Sequence, residues 1–226
     1  MRHIVRAGIL CVLAAGIAGA LPSEARAAAE WTTAPVSARF LNAAAQGRTA
    51  TADGRLTGYR PGPIDFASAD IARAGLELPL LDERTQAEFR AFIPEAGNIL
   101  RNPVDAGVAF TDFGLLERAL RVLAADPNID AIVVTIHIDW TFNFDGGRHL
   151  ARLARYLAGP AREHTAGKPF LVSRQRYRTA AGIAEAEKDL CETLIAGGVP
   201  VYEGLPRAAN ALSKVVAYHS FLRSTA

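Results

Sequence analysis

Two short phrases of this sequence bring together side chains that can do chemistry. The first, Asn102-Pro103-Val104-Asp105, places an amide and a carboxylate on either side of a proline. Pro103 fixes its own φ and drives Asn102 toward an extended conformation. Asp105 then sits at the end of a strand, where its carboxylate can hold backbone amides or a ligand. A rigid turn held by Asx hydrogen bonds is the alternative reading of the same residues. The second phrase runs from His137 to Gly147 and carries one imidazole and two carboxylates, His137, Asp139 and Asp145, after an apolar run. These types suit metal ligation or general acid–base work. The interleaved Trp140, Phe142 and Phe144 suit a loop packed on the domain instead. Gly146-Gly147 ahead of a helix can receive an anion at the helix amino terminus.

The remaining candidates point to structure. His149, His164 and His219 fall in or beside charged helices, where solvated surface is the expectation. Cys191 lies in mid-helix beside Leu190 and Leu194, with no histidine nearby in sequence, so a buried, unreactive thiol is expected. No Ser-His-Asp signature, phosphate-binding Walker loop or dinucleotide glycine fingerprint occurs.

These groups must be positioned by the elements around them. Pro63 suits a first helical turn. Ile64, Ala67, Ile71 and Ala74 then share one helical face, and Gly75 is placed to end the helix in a left-handed conformation. Asp82 caps a second helix that stops at Pro94, and Asp112 caps a third over 113–125 with Leu116, Ala119, Leu120 and Leu123 as its apolar stripe. Residues 131–136 form an apolar, β-branched run, the pattern of a strand buried on both faces. A helix over 148–157, a strand over 169–172, a helix over 180–196, a strand over 199–202 and a closing helix over 206–221 follow. Strands alternating with helices at this spacing predict a parallel sheet covered on both faces. Ligands of such sheets bind beyond the carboxyl ends of the strands, which singles out the loops 102–107, 137–147 and 173–179.

Composition narrows the classes. Half of the 226 residues are hydrophobic and 21% are charged, enough for a sizeable core, and the formal net charge is only +2. Lysine and arginine are scattered rather than clustered, so nucleic acid is not an expected partner. Two cysteines, Cys11 and Cys191, support neither a disulfide framework nor a cysteine-rich zinc site. The amino terminus differs from the rest. Arg2, His3 and Arg6 precede an apolar run over 7–21, and Ala25-Arg26-Ala27 follows. This is the form of a secretory signal peptide, and it is too short for a comfortable membrane span. Three regions result: a signal-peptide-like segment at 1–27, a linker or poorly ordered extension at 28–60, and an α/β domain at 61–224.

Several phrases within that domain resemble a known family. Gly75-Leu76-Glu77-Leu78-Pro79, Arg101-Asn102-Pro103-Val104-Asp105, Asp126-Pro127-Asn128, Gly167-Lys168-Pro169 and Ala196-Gly197-Gly198-Val199-Pro200-Val201-Tyr202, from about Asp65 to Tyr218, resemble the third domain of the fused NDP-forming (ADP-forming) acyl-CoA synthetases. That domain is similar to the carboxy-terminal domain of the succinyl-CoA synthetase beta subunit. The resemblance implies a three-layer, flavodoxin-like fold and an acid–thiol ligase that interconverts acyl-CoA, ADP and phosphate with acid, ATP and CoA. It implies CoA, ATP or ADP and Mg for the complete enzyme, CoA-binding and ATP-grasp partners, and a cytoplasmic setting. The family's phosphohistidine segment of Ser-His-Thr-Gly type is absent from this sequence, so no catalytic residue carries over. The family's phosphate-facing strand, glycine-rich loop and helix map to residues before and after Gly58, where Gly58-Tyr59-Arg60-Pro61-Gly62-Pro63 replaces the loop. Its prolines remove amides that would bind phosphate. The residues so marked as phosphate- or ligand-facing are Arg60, Gly62, Asn102 and Asp105. The other reading of the chain is an exported, non-enzymatic binding domain, periplasmic or secreted.

Overall fold

A computed structural model describes residues 7–11, 49–50, 56–57, 63–96, 98–177 and 181–225. In chain order its strands are β1 (Ala7–Cys11), β2 (Thr49–Ala50), β3 (Leu56–Thr57), β4 (Ile99–Leu100), β5 (Val104–Asp105), β6 (Ala131–His137), β7 (Phe170–Gln175) and β8 (Val201–Glu203). The helices are α1 (Pro63–Arg73), α2 (Glu83–Arg90), α3 (Gly107–Thr111), α4 (Phe113–Ala125), α5 (Ile138–Phe142), α6 (Arg148–Ala158), α7 (Pro160–Glu163), α8 (Ile183–Ala196) and α9 (Leu205–Thr225). Six strands form one sheet in the order β4-β5-β1-β6-β7-β8; β2 and β3 pair separately and antiparallel. Within the large sheet every pairing is parallel except β4 with β5.

The expected three layers are present, and β6 shows why. All seven of its residues are buried, so the run that reads as doubly buried has a helix layer on each face. Ile132, Val134 and Ile136 face the larger core, shared with α2, α4, α6 and α8. Ala131 and Val133 face the smaller core, made with Ala67 and Ile71 of α1 and Ala208, Ala209 and Leu212 of α9. The helix caps hold as read, although α2 ends at Arg90, short of Pro94. Asp82 accepts from the Arg84 amide at 2.9 Å, and Asp112 from the Gly114 amide at 2.8 Å. Each such cap contributes roughly 1 kcal/mol. Gly75 has φ +75° and closes the turn after α1.

Three features depart from the sequence reading. The strand between β5 and β6 comes from Ala7–Cys11, inside the signal-peptide-like run, whereas the residues just before Gly58 pair as the small β2–β3 ladder. Residues 1–6, 12–48, 51–55 and 58–62, which include most of that run, most of the linker, Arg60 and Gly62, lie outside the described set. The stretch after β6, expected as a loop, turns directly into the short helix α5, with Ile138 and Thr141 buried beneath it and Thr141 Oγ1 donating to the His137 carbonyl at 2.9 Å. Finally, β7 runs on to Gln175; the polar Ser173-Arg174-Gln175 hides the last half of the strand from a hydrophobicity reading.

Candidate functional site at the carboxyl edge of the sheet

The register lines up a polar row across the carboxyl ends of the parallel strands. Asp105 pairs with position 11, position 11 with Thr135, Thr135 with Ser173, and Ser173 with Tyr202. Register neighbours in parallel strands share a face, and residues two apart along a strand do so as well. Thr135, His137 and Ser173 therefore lie on the α1/α9 face, the same face as Ala131, Val133 and Leu171. All three are buried, and among the described residues the atoms Thr135 Oγ1, Ser173 Oγ and His137 Nε2 make no hydrogen bond. A buried polar group without a partner costs on the order of 1–3 kcal/mol, so three on one face of one sheet edge ask for a partner. Burial lowers the His137 pKa to about 4, with Asp139 pulling the other way, so the imidazole is neutral at neutral pH.

Loops 137–147 and 173–179 are joined here. Asp139 Oδ2 accepts from the Tyr177 amide at 2.7 Å, and the rings of His137 and Tyr177 stack with centroids 5.7 Å apart. The Tyr177 hydroxyl donates to Gln175 Oε1 at 2.6 Å. On the opposite face Glu187 of α8 binds both Arg174 and Arg176, the latter through Nε at 2.7 Å. Two guanidiniums thus share one buried carboxylate at the end of β7. Cys191, expected as buried, is only half-buried; desolvation raises its thiol pKa and Arg174 opposes the shift.

The other candidates resolve into structural roles. Asp145 Oδ1 accepts from the His149 amide at 2.7 Å, so the amino terminus of α6 already holds a carboxylate of its own chain. Gly147, at φ +98°, lies where a Cβ would meet a Phe142 ring carbon at 3.0 Å; its neighbour packs in the space an added side chain would need. His149 is a correction: it is buried, with Nε2 2.5 Å from the Phe110 carbonyl and its ring stacked on Phe113. A histidine on the apolar side of a helix belongs to the core when a carbonyl reaches it. His219 is exposed as expected. Among the described residues no three histidine, cysteine or acidic side chains gather as metal ligands, and no helix is long and apolar enough to cross a membrane.

Asn102 and Asp105 lie at opposite ends of β5. Asn102 Nδ2 donates to the Pro79 carbonyl at 3.0 Å, and the Asn102–Pro103 peptide bond is cis. Asp105 is buried at the carboxyl end, in the polar row. Sequence reasoning missed Thr135 and Glu187, and it marked Ser173 and Tyr177 only as members of the loop 173–179. Glu187 alone left a signal: it shares helical spacing with the buried Ile183, Leu190 and Leu194. Nothing in a single strand shows that Thr135 and Ser173 are neighbours.

No family model matches the chain. A 144-residue stretch, 63% of the chain, is 31% identical to the ADP-forming acetate–CoA ligase II subunit alpha of Pyrococcus furiosus and covers 28% of that protein. The dinucleotide-forming acetyl-coenzyme A synthetase 1 of Ca. Korarchaeum cryptofilum, solved in complex with phosphate and ADP, shares the fold: TM-score 0.52 at 20% identity, over 70% of this chain and 31% of that one. The chain thus spans less than a third of the relatives it matches. Over that part of its length it is homologous to the ADP-forming acetyl-CoA synthetases, of the NDP-forming acyl-CoA synthetase family.

Proposed function

We propose that the chain is a partial or stand-alone domain of an NDP-forming acyl-CoA synthetase, which takes part in converting acyl-CoA, ADP and phosphate into acid, ATP and CoA only together with CoA-binding and ATP-grasp partners in the cytoplasm. The observation that carries this reading is the 31% identity to an ADP-forming acetate–CoA ligase subunit over 144 residues. The sheet edge supports it chemically. Thr135 and Ser173 offer hydroxyl donors, and neutral His137 can present Nε2–H; these are the groups a phosphoryl oxygen would satisfy. Asp105 lies in the same row; Asn102, at the other end of β5, and Arg60 and Gly62, outside the described residues, are ligand-facing by the family resemblance. Arg60 supplies a cation where the prolines of 58–63 have removed amides. Bound CoA, nucleotide and Mg would supply the thiol, the phosphoryl acceptor and charge neutralisation.

The purified chain, incubated with radiolabelled ATP, CoA and acetate, should show no turnover over a heat-killed control. Adding separately expressed CoA-binding and ATP-grasp subunits should restore it. Turnover by the chain alone would sink the division of labour, and silence of the full mixture would sink the assignment. Phosphate binding by the isolated chain should be about millimolar, roughly −4 kcal/mol, and should weaken in Arg60→Ala.

A further inference from the structure

The slot between β5 and β6 is filled by an unusual segment. Ala7–Cys11 pairs with five residues of β6, from Ala131 to Thr135, and with Val104 and Asp105 of β5. Among the described residues the β4–β5 ladder joins the rest of the sheet only through this strand. Every residue of β6 is buried, so without β1 a whole edge of backbone donors and acceptors at the centre of the sheet would face no partner. Yet β1 is far from its neighbours along the chain: residues 12–62 separate it from α1. The sequence Ala-Gly-Ile-Leu-Cys carries no charge, as a strand in mid-sheet requires, and the same residues begin the run that reads as a secretory signal.

We propose that the β5–β6 slot is a strand-acceptor site for a parallel segment of small and aliphatic residues, occupied by the chain's own Ala7–Cys11 as a separable ligand. The slot binds that segment through its backbone register and holds it when the covalent connection is cut. Removal of residues 1–27 before folding would leave the slot empty, whereas cleavage after Ala27 in the folded chain would leave the strand in its place. This inference does not depend on the acyl-CoA synthetase reading, because it concerns the sheet and not the ligand at its edge.

The test uses the full chain with a protease recognition sequence inserted between Ala28 and Ala29. After folding and cleavage, the fragment ending at Ala28 should co-elute with the body in size-exclusion chromatography and leave it only in denaturant. Hydrogen exchange of the amides of 131–135 and 104–105 should stay as slow as in the uncut chain. In the uncut chain, Leu10→Pro should speed exchange at 131–135 at least tenfold, whereas Ala18→Pro, in the same apolar run beyond the register-paired residues 7–11, should not. Release of the fragment under native conditions overturns the proposal, whether or not protection is lost with it. Equal exchange in Leu10→Pro and the parent overturns it too. Should Leu10→Pro fail to fold, the cut parent chain still decides.

Discussion

The two edges of the parallel sheet are built on opposite terms. At the amino edge the polar groups of Asp126, Asn128, Lys168 and Asn102 have partners. Asp126 is fully buried, and its Oδ2 accepts from the Asp82 amide at 2.9 Å while Oδ1 accepts from the Asn128 amide at 2.7 Å. Its carbonyl takes Lys168 Nζ at 2.8 Å, Asn128 Nδ2 reaches the Leu80 carbonyl, and Asn102 reaches that of Pro79. Four of the phrases that carry the family resemblance, around 75–79, 101–105, 126–128 and 167–169, are therefore tied to one another here. At the carboxyl edge Thr135, His137 and Ser173 are buried with atoms that bond nothing among the described residues. An edge with partnered polar groups serves the fold. An edge with unspent hydrogen-bonding capacity costs stability and is where a ligand or partner can gain binding energy.

The largest effect that tests this contrast is at Asp126. Asp126→Ala leaves the buried amides of Asp82 and Asn128 without acceptors and should cost about 4 kcal/mol, read as a lower urea midpoint at unchanged slope. A loss below about 1 kcal/mol would mean that the amino edge is not held this way.

His137 gives the next test. Its native pKa, about 4, lies below the ordinary 6.5. Above pH 6.5 both folded and unfolded states are neutral there, and the group contributes no pH dependence. As pH falls from 6.5 toward 4 the unfolded chain takes up the proton and the folded one does not, so stability drops, by at most about 3 kcal/mol. Below pH 4 this contribution levels off. His137→Phe should flatten the stability curve over that window; an unchanged slope would show that the ring is hydrated or paired.

Smaller and of opposite sign is the effect at the two hydroxyls. Thr135→Val and Ser173→Ala each remove an unpartnered buried oxygen and should leave stability unchanged or raise it by about 1 kcal/mol, while weakening phosphate binding. Clear destabilisation by either would show that the hydroxyls are already satisfied and would erase the difference between the edges. Smallest is the exposed pair Arg84–Glu88, where Glu88→Gln should change stability by about 0.3 kcal/mol or less.

Much of the fold was legible because its signals are local. Asp82 and Asp112 precede their helices and cap them, Gly75 takes the left-handed turn, and 131–136 reads as a buried strand because every residue in it is apolar or β-branched. The edge chemistry was legible only in part. His137 and Asp139 could be found as unusual types after an apolar run, but their partner Tyr177 is 38 residues further along and reaches Asp139 through a backbone amide that any residue carries. His149 read as surface because its neighbours are charged, although the Phe110 carbonyl that holds it comes from another helix.

What the sequence determined by itself is thus the alternation of strands and helices, the caps that bound them, and the family phrases that hold the amino edge, all governed by contacts within a few residues or by periodicity. What only the tertiary structure decided is which strand lies beside which. Register across the sheet sets Asp105, Thr135 and Ser173 in one row, and it draws Ala7–Cys11 from a run that resembles an export signal into the middle of the domain. A central strand and a signal's apolar core ask for the same short, uncharged, apolar residues. Composition cannot tell them apart, and the difference lies in whether β5 and β6 offer their backbones to it.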